Sequence, residues 1–573
     1  MASTFPDLPI FHAIASHDPE STAIIHSVSN RKFSYGELLT DVEKAKIRLY
    51  HQLKDALTNG QSIGGQRVAF LVENGYDYVV TLLSIFACDG IAVPLSSSFP
   101  ASELRYILDN SQALTLLSSD KFKKQAETVL QEGLERRPTL NIVEKLMSGS
   151  GRDEVQLVQL PETRGGLMLY TSGTTSRPKG VVLNTSTLTA QALSLYEAWK
   201  YTPKDRLLHL LPLHHIHGTV NALLTPLFAG SSIEFLFPFN ADAVWDRLAA
   251  PFLPSSQKKA ENEPITFLTA VPTIYNRLLS SHPRLAPEVQ DAAREAVSPN
   301  NMRLNISGSA ALPTPTKQAW SDLSKGNILL ERYGMTEVGM ALSCGLAFED
   351  RVDGSVGWPL PGVEVRLVDA ENGEVIEPGQ ESDAAGKERE GEIQLRGQTI
   401  FREYWRNPKA TEEEFAKADD GGGKWFKTGD VASRRQVEGA GQSEQAWAKG
   451  PCYFIKGRKT TDIIKTGGEK VSALEIEREL LSLPQVSEAA VVGVANEQWG
   501  QKVSAVLVLD PAQAQTGKGG KPWGVMDMRR ALKDKLAGYK IPQELKVVDD
   551  LPKNAMGKIN KKSLVKEVFG PDA

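Results

Sequence analysis

The chain has 573 residues, of which 41% are hydrophobic and 24% charged, and its formal net charge is −5. This length exceeds that of one compact core, so at least two domains are expected. The composition excludes a wholly disordered chain, and the charge balance gives no support to a nucleic-acid or membrane-surface binding protein.

The cysteines and the chain ends bear on the cellular compartment. Cys88, Cys344 and Cys452 are far apart and form no metal-type spacing, so a reducing compartment without structural disulfides is expected. No apolar run reaches the roughly 18–20 residues of a membrane span. The start carries Asp7 and no arginine before Arg31, and the end is not of the SKL type. We expect a cytoplasmic protein with no integral membrane segment, with mitochondria as the alternative.

The first predicted elements alternate between short apolar strands and longer helices. VAFLV at residues 68–72 precedes a helical stretch at residues 76–88, and IAVPL from Ile91 precedes a helix that begins at Ser102. LLHLLPL, residues 233–237 and ITFLTAV continue the alternation. The pattern predicts an α/β fold with largely parallel sheets.

Three aperiodic segments, at residues 379–390, 434–451 and 511–524, are rich in Gly, Gln, Pro or charge and are predicted to be surface insertions.

Residues 458–573 are predicted to form a separate small α+β domain. Ser472 and Glu475 fit a capping box before the helix IERELLSL. EAAVVGV and VSAVLVL are predicted strands, MDMRRALKDKL is a predicted helix and ELKVV a further strand. The predicted domains are therefore residues 1–457 and 458–573.

The segment YTSGTTSRPKG, from Tyr170 to Gly180, has the composition of a phosphate-binding loop. Its small residues let backbone N–H groups approach a polyphosphate, and Lys179 supplies positive charge. A Walker A loop is excluded because Pro178 precedes the lysine and Gly180 follows it. A Ser/Thr/Gly turn between strands is the alternative.

TSGTTSRPKG resembles the phosphate loop of the acyl-CoA synthetase and luciferase superfamily of adenylate-forming enzymes, although Ser176 stands where that family usually has glycine. ISGSAAL at residues 306–312 and ERYGMTE at residues 331–337 resemble its next two signatures. TGD at residues 428–430, GR at 457–458 and PKNAMGK at 552–558 follow in the family's order. The resemblance implies a large N-terminal adenylate-forming domain, a small mobile C-terminal domain, and an ATP-dependent acid–CoA ligase that forms acyl-AMP and then acyl-CoA.

The resemblance also assigns roles to single residues. Tyr333 would stack on adenine, Thr336 would contact the α-phosphate, Glu337 would hold Mg²⁺, Asp430 would bind the ribose hydroxyls, and Lys558 would act in adenylation. The chemistry is independently sensible, since a carboxylate suits Mg²⁺ and an ammonium group stabilises charge that develops at phosphorus. The full predicted ATP and AMP set is Thr171, Ser172, Gly173, Thr174, Thr175, Lys179, Ser307, Gly308, Glu331, Arg332, Tyr333, Gly334, Asp430 and Arg458.

The family's domain rotation implies a hinge and a channel for coenzyme A. The hinge is predicted at Lys459 and Thr460. Gly467 and Gly468, in the segment KTGGEKV, are predicted to face the pantetheine arm.

Three close histidines, His214, His215 and His217, lie in LPLHHIHG. A zinc site is disfavoured because no fourth ligand is near in the sequence. In the resembling family this segment lines the acyl pocket, and His215 is predicted to be a catalytic residue that gates the acid and CoA channels.

Within the superfamily, LPLHHIHGTVNALL, LERYGMTEVGMALS and DIIKTGGEKVSALEIE are similar to the malonyl-CoA synthetases. The second carboxylate of malonate would need a cation, for which Arg277 is the candidate, with a solvated helix arginine as the alternative. Met335 would bound a short pocket. The predicted partners are ATP, Mg²⁺, CoA and a carboxylic acid, and no protein partner is predicted.

Methylmalonate, other short dicarboxylates and short- or medium-chain fatty acids are alternative substrates. An amino-acid-activating module, an oxidative enzyme and a non-catalytic nucleotide-binding relative are alternative functions.

Overall fold

A computed structural model describes residues 3–54, 57, 63–147, 155–160, 162–171, 177–254, 263–417, 421–497, 499–553 and 558–570. Its strands and helices are numbered along the chain.

The first strands are β1 (Ser3–Pro6), β2 (Thr22–His26), β3 (Arg31–Ser34), β4 (Arg67–Leu71), β5 (Ile91–Pro94), β6 (Thr115–Ser119), β7 (Thr139–Val143), β8 (Val155–Val158), β9 (Gly166–Thr171), β10 (Lys179–Asn184), β11 (Arg206–His209), β12 (Ser232–Phe235), β13 (Phe267–Ala270), β14 (Leu304–Ser307), β15 (Leu330–Met335), β16 (Gly339–Ser343) and β17 (Trp358–Pro359). The later strands are β18 (Val363–Val368), β19 (Val375–Ile376), β20 (Gly391–Gly397), β21 (Glu403–Tyr404), β22 (Phe415–Ala416), β23 (Trp425–Arg435), β24 (Cys452–Arg458), β25 (Ile463–Thr466), β26 (Glu469–Ser472), β27 (Val486–Asn496), β28 (Gly500–Leu509) and β29 (Glu544–Val547).

The α-helices are α1 (Pro9–Ser16), α2 (Tyr35–Leu53), α3 (Tyr76–Ala87), α4 (Ala101–Ser111), α5 (Lys123–Leu130), α6 (Thr185–Trp199), α7 (Thr225–Ala229), α8 (Ala241–Ala249), α9 (Pro272–Ser281), α10 (Pro287–Ala296), α11 (Thr314–Leu323), α12 (Pro408–Glu413), α13 (Ala473–Leu481), α14 (Val525–Leu532) and α15 (Lys561–Phe569). A π-helix spans His217–Leu224.

Two large sheets dominate the N-terminal part. One has the order β17-β16-β15-β14-β13-β11-β12-β2-β3, and the other has the order β21-β10-β9-β5-β4-β6-β7. Their central strands run parallel. Strands such as β4 are buried along their whole length, as expected for parallel strands covered on both faces. The structure thus confirms the predicted α/β class with parallel-rich sheets.

Two smaller sheets follow along the chain. Strands β18, β19, β20, β22, β23 and β24 form a six-stranded antiparallel sheet, and β25 to β29 form a five-stranded sheet. The first of these ends at Arg458 and the second begins at Ile463. The turn between them therefore contains the predicted hinge residues.

The hydrophobic core follows the same division. One large cluster fills the N-terminal part, whereas Ile464, Val491 and Leu507 belong to a separate cluster of the last sheet. Each part therefore has its own core, which is the property of a domain.

The segment at residues 434–451 is not the plain surface insertion that its composition predicts. Ala440 and Ala448 are buried in a cluster with Trp358, whose Nε1 donates to the Gly450 carbonyl at 2.9 Å. Gln445 donates to the Ala198 carbonyl at 2.8 Å. The segment packs on the N-terminal part because its alanines and glycines fit around one large indole.

The capping box predicted at α13 is only half formed. Oγ of Ser472 accepts from the Glu475 backbone N–H at 3.1 Å, but the Glu475 carboxylate pairs with Lys540 at 2.7 Å. Helix α14 ends at Leu532, earlier than predicted. Within the described ranges, no helix has the length and apolar content needed to cross a membrane.

Candidate active site

The flanks of the predicted phosphate loop are the antiparallel strands β9 and β10, in which Thr171 lies opposite Lys179. The predicted phosphate ligands Ser172, Gly173, Thr174 and Thr175 lie outside the described residues.

Lys179 points from β10 toward β21. Its Nζ lies 3.9 Å from the centroid of the Tyr404 ring and 3.5 Å from Oε1 of Glu414. The contact with the aromatic face holds the Lys179 side chain at the end of the phosphate loop, where it can contribute to phosphate binding.

Glu337 is buried beside this lysine. The Tyr404 hydroxyl donates to its Oε1 at 2.8 Å. Burial raises the pKa of Glu337, and the Tyr404 hydrogen bond and the charge of Lys179 oppose that shift. A buried carboxylate oriented by a hydrogen bond fits a hard Mg²⁺ ion. Tyr404 was missed as a site residue, although it lies in FREYW, a segment that continues the likeness to the malonyl-CoA synthetases.

Tyr333, Asp430 and Arg458 form one hydrogen-bonded group. The Tyr333 hydroxyl donates to Oδ2 of Asp430 at 2.6 Å, and Nε of Arg458 donates to Oδ1 at 3.1 Å. Asp430 and Arg458 are register partners in β23 and β24. The Asp430 carboxylate raises the pKa of the Arg458 guanidinium. Residues predicted to hold adenine and ribose are thus brought together.

Arg332 is buried beneath the loop that follows β14. A β-carbon at Gly308 would overlap its guanidinium, so the glycine is required for this close approach. Nη2 donates to Oγ of Ser309 at 3.3 Å. Among the described residues, Nε has no hydrogen-bond partner and the guanidinium has no ion-pair partner. Burial lowers the pKa of Arg332 to about 9. Ser307, also in the predicted set, is buried in β14.

The histidine segment lies against this arginine. Nε2 of His217 is 2.6 Å from Oγ1 of Thr269, and its Nδ1 is 3.3 Å from Oγ of Ser309. The rings of His214 and His215 lie 4.1 Å apart. Burial lowers the pKa of His214 to about 4 and that of His215 well below its usual range. These imidazoles are therefore neutral at physiological pH.

Lys558 reaches the same region from the end of the chain. Desolvation by the surrounding protein and the charge of Arg458 lower its pKa, with a further lowering by Arg332 and opposite contributions from Asp430 and Glu337. Its own charge lowers the pKa of His215. The side chain keeps access to solvent. The last predicted catalytic residue thus lies among the others.

Two predicted site residues have other contacts in this structure. Glu331 was predicted to bind the nucleotide, but it is buried in an ion pair with Lys317 of α11, with 2.8 Å between Oε1 and Nζ. Arg277 was the candidate for the second carboxylate, but it is exposed on α9 and lies over the Phe239 ring at 4.7 Å. Glu331 therefore anchors β15 to α11, whereas a role of Arg277 toward the acid stays a prediction.

The remaining predicted residues lie at the end of β15 and in turns. A β-carbon at Gly334 would overlap the Gly339 carbonyl, and Thr336 lies in the turn after Met335. Lys459 donates its backbone N–H to the Gly429 carbonyl at 2.9 Å and begins the turn that contains Thr460.

Gly467 and Gly468, both with positive φ, form the tip of the β25–β26 hairpin. In this arrangement the hairpin's Lys470 pairs with Glu371 at 2.7 Å, so the predicted CoA loop contacts a different surface from Lys558.

Comparisons with known proteins agree with this geometry. Residues 11–405 match the AMP-binding enzyme family, and residues 475–558 match the AMP-binding enzyme C-terminal domain. A Gibberella moniliformis protein described as a CoA ligase is 57% identical over 98% of this chain and 94% of its own length. A Homo sapiens protein described as a mitochondrial malonate–CoA ligase is 39% identical over 94% of this chain and 91% of its own length. ATP-bound MatB from Rhodopseudomonas palustris superposes with a TM-score of 0.76 at 31% identity, covering 99% of both chains. The chain belongs to the AMP-binding enzyme family.

Proposed function

We propose that the protein is a malonate–CoA ligase, which converts malonate, ATP and CoA to malonyl-CoA, AMP and pyrophosphate. At the level of reaction class, it is an AMP-forming acid–CoA ligase that uses ATP and CoA as co-substrates.

The choice of malonate rests on Arg332. A buried guanidinium with no acidic partner among the described residues is costly unless an anion pairs with it. Ser309 and His217 surround it with further polar groups. The second carboxylate of a short dicarboxylate would supply the missing charge, while an acid with an apolar tail would leave it unpaired.

The distribution of charge supports the placement of the reacting carboxylate. The charge of Arg332 lowers the pKa of Lys558, so the two cations lie close together. Lys558 also lies near Glu337. A dicarboxylate between the two cations would have one end at Arg332 and the other where Lys558 can stabilise attack on the α-phosphorus. The neutral His215 would line the path between them without adding charge.

Glu337 would be the ligand of Mg²⁺. Its carboxylate is buried and is oriented by the hydrogen bond from Tyr404, which suits this ion. When bound with ATP, the ion would supply charge neutralisation for the phosphates. Tyr333, Asp430 and Arg458 would hold the adenosine, and Lys179 the phosphate end.

The mobile domain is part of the proposal. We infer that residues 458–573 rotate about Lys459 and Thr460, so that Lys558 serves adenylation and the hairpin of Gly467 and Gly468 serves thioester formation.

A cytoplasmic location of the protein also stays a prediction. The human relative is named mitochondrial.

Two alternatives receive less support. A short- or medium-chain fatty acid would leave Arg332 unpaired in a buried pocket. A non-catalytic nucleotide-binding protein would have no need for the convergence of Lys179, Glu337 and Lys558.

The test is a steady-state comparison of malonate, methylmalonate, acetate and octanoate with ATP and CoA, following both pyrophosphate release and thioester formation. Malonate is expected to give the highest kcat/KM, and both products are expected in equal amounts. A preference for octanoate over malonate would refute the substrate assignment. If no pyrophosphate is released in the presence of an acid, the assignment as an acid–CoA ligase is refuted as well.

A further inference from the structure

A cavity of about 320 Å³ opens beside the start of β10, next to the catalytic centre. Its lining includes Tyr106, Asn110, Arg177, Lys179, Trp405 and Arg406. We refer to it as the basic cavity. None of the roles assigned so far uses this cavity. Lys179 lines it and also belongs to the catalytic centre.

Among the residues that the structure describes, three cationic side chains and no acidic one line the basic cavity. Within the described part of the chain, neither Arg177 nor Arg406 has an ion-pair partner, and Lys179 has only the 3.5 Å contact with Glu414. More positive charge lies behind the wall, where the Arg67 guanidinium stacks 4.8 Å from the Trp405 ring. The cavity therefore has a positive potential that is not balanced locally.

The neutral lining residues are fixed by hydrogen bonds. Oδ1 of Asn110 accepts from the Tyr170 hydroxyl at 2.8 Å, and its carbonyl accepts from Nε1 of Trp405 at 3.1 Å. The Tyr106 hydroxyl donates to the Pro178 carbonyl at 2.8 Å. These bonds hold α4, β9 and the end of the phosphate loop together, and they leave Nδ2 of Asn110 as a further donor for an anion.

The position of the cavity points to one anion of the reaction. Adenylation forms the bond between the carboxylate oxygen and the α-phosphorus and breaks the bond to the β-phosphate, so pyrophosphate leaves with the bridging oxygen and its electron pair. Lys179 connects the basic cavity with Tyr404 and Glu337, where the phosphate end of ATP would lie. Pyrophosphate is small enough for the cavity and highly charged.

We propose that the basic cavity is a pyrophosphate-release site, in which Arg177 and Arg406 take over the leaving pyrophosphate from Lys179. The inference rests on the proposed function, because only an adenylating enzyme makes pyrophosphate. The 3′-phosphate of CoA has the same chemistry and is the competing source of the anion. The shared Lys179 favours pyrophosphate.

The experiment measures product inhibition by inorganic pyrophosphate in the full-length enzyme and in the variants Arg177→Gln and Arg406→Gln. The inhibition constant for pyrophosphate is expected to rise about tenfold in each, the factor expected for loss of one charge-assisted hydrogen bond. The KM for ATP is expected to change by a smaller factor, so the ratio of the two constants is the decisive quantity. Arg406→Lys should restore part of the affinity.

Arg402→Gln is the matched control, since Arg402 is an exposed arginine of the same segment that pairs with Glu403. It should leave the ratio unchanged. A second arm compares CoA with 3′-dephospho-CoA. A rise in the KM for CoA alone, with unchanged pyrophosphate inhibition, would assign the cavity to the 3′-phosphate and overturn the proposal.

The possible failures are distinguishable. One outcome is that the unsubstituted protein releases pyrophosphate while the variants keep its ratio of the pyrophosphate inhibition constant to the KM for ATP. In that case only the assignment of the release site is wrong. If it releases no acid-dependent pyrophosphate, the proposed function fails as well.

Discussion

Arg478 of the C-terminal domain lies directly against Gly354 of the N-terminal domain. A β-carbon at Gly354, whose φ is +71°, would overlap Nη1 of Arg478. The charge of Arg478 also acts on the buried Glu331, whose pKa it lowers against the larger effect of burial. The arginine is thus a contact of this domain arrangement, the one in which Lys558 lies near Arg332.

Loss of this contact should weaken adenylation selectively. We expect Arg478→Ala to lower the rate of ATP–pyrophosphate exchange about fivefold, corresponding to about 1 kcal/mol for a partly exposed charged contact. Thioester formation from supplied malonyl-AMP should be unaffected, because the contact belongs to the other arrangement. Arg530→Ala, which removes an exposed arginine paired within α14, is the control. Equal loss in both half-reactions would contradict the prediction.

Lys558→Ala should abolish most of the adenylation activity. Removal of a positioned group that stabilises developing charge costs about 100-fold or more in rate. Thioester formation from supplied malonyl-AMP should remain largely intact. The half-reactions are followed separately by pyrophosphate release and by thioester absorbance, with the exposed neighbour Lys562→Ala as the control. A fall of similar size in both would show that Lys558 has a different role.

Arg332→Met should change the substrate preference. The kcat/KM for malonate is expected to fall roughly 100-fold, because removing one partner of a buried charge pair costs about 3 kcal/mol. Activity with acetate, which has no second carboxylate, should fall far less. The ratio of the two kcat/KM values is the measurement. An unchanged ratio would move the second carboxylate away from Arg332.

The acid limit of adenylation should depend on Tyr404. Glu337 must be ionised to hold Mg²⁺, and burial raises its pKa, so activity should decline at a higher pH than for an ordinary glutamate. The Tyr404 hydrogen bond opposes that shift. Tyr404→Phe should therefore move the acid limb upward in pH. Pyrophosphate release at subsaturating Mg²⁺ measures it, and saturating Mg²⁺ should reduce the difference. A downward shift would contradict the assignment.

Stability should fall as the solution is acidified below neutrality. Burial lowers the pKa of His209 to about 4, and it lowers that of His217 well below the ordinary value of 6.5. The unfolded chain therefore binds protons between about pH 6.5 and 4 that the folded chain does not bind, so stability is lost as pH falls through this window. His209→Gln, which can still donate to the Gly218 carbonyl, should flatten the dependence of Tm on pH. An unchanged slope would contradict the prediction.

Much of the fold follows from local patterns in the sequence. Buried parallel strands such as β4 are short apolar runs, and the order of the motifs predicted that Tyr333, Asp430 and Lys558 would meet. The hydrogen bonds of Tyr333 and Arg458 with Asp430 are consistent with that expectation.

The different contacts of Glu331 and Arg332 have a simple physical cause. Glu331 and Arg332 are consecutive in β15, so their side chains point to opposite faces of the strand. Glu331 meets Lys317, whereas Arg332 meets Ser309 beside the histidines. A sequence motif does not specify which of two consecutive side chains faces the active site. Lys317, in the middle of a helix, gives no sign in the sequence that it pairs with the buried Glu331.

The separate cores set the energetic scale of any rearrangement. Residues such as Val491 and Leu507 have their apolar neighbours within the last domain, so the proposed rotation would leave these contacts unchanged. The proposed rotation would exchange surface contacts such as the ion pair of Lys470 with Glu371, which water replaces at little net cost. The rotation proposed above would therefore leave both cores intact, and the charge of a bound nucleotide would be enough to bias it.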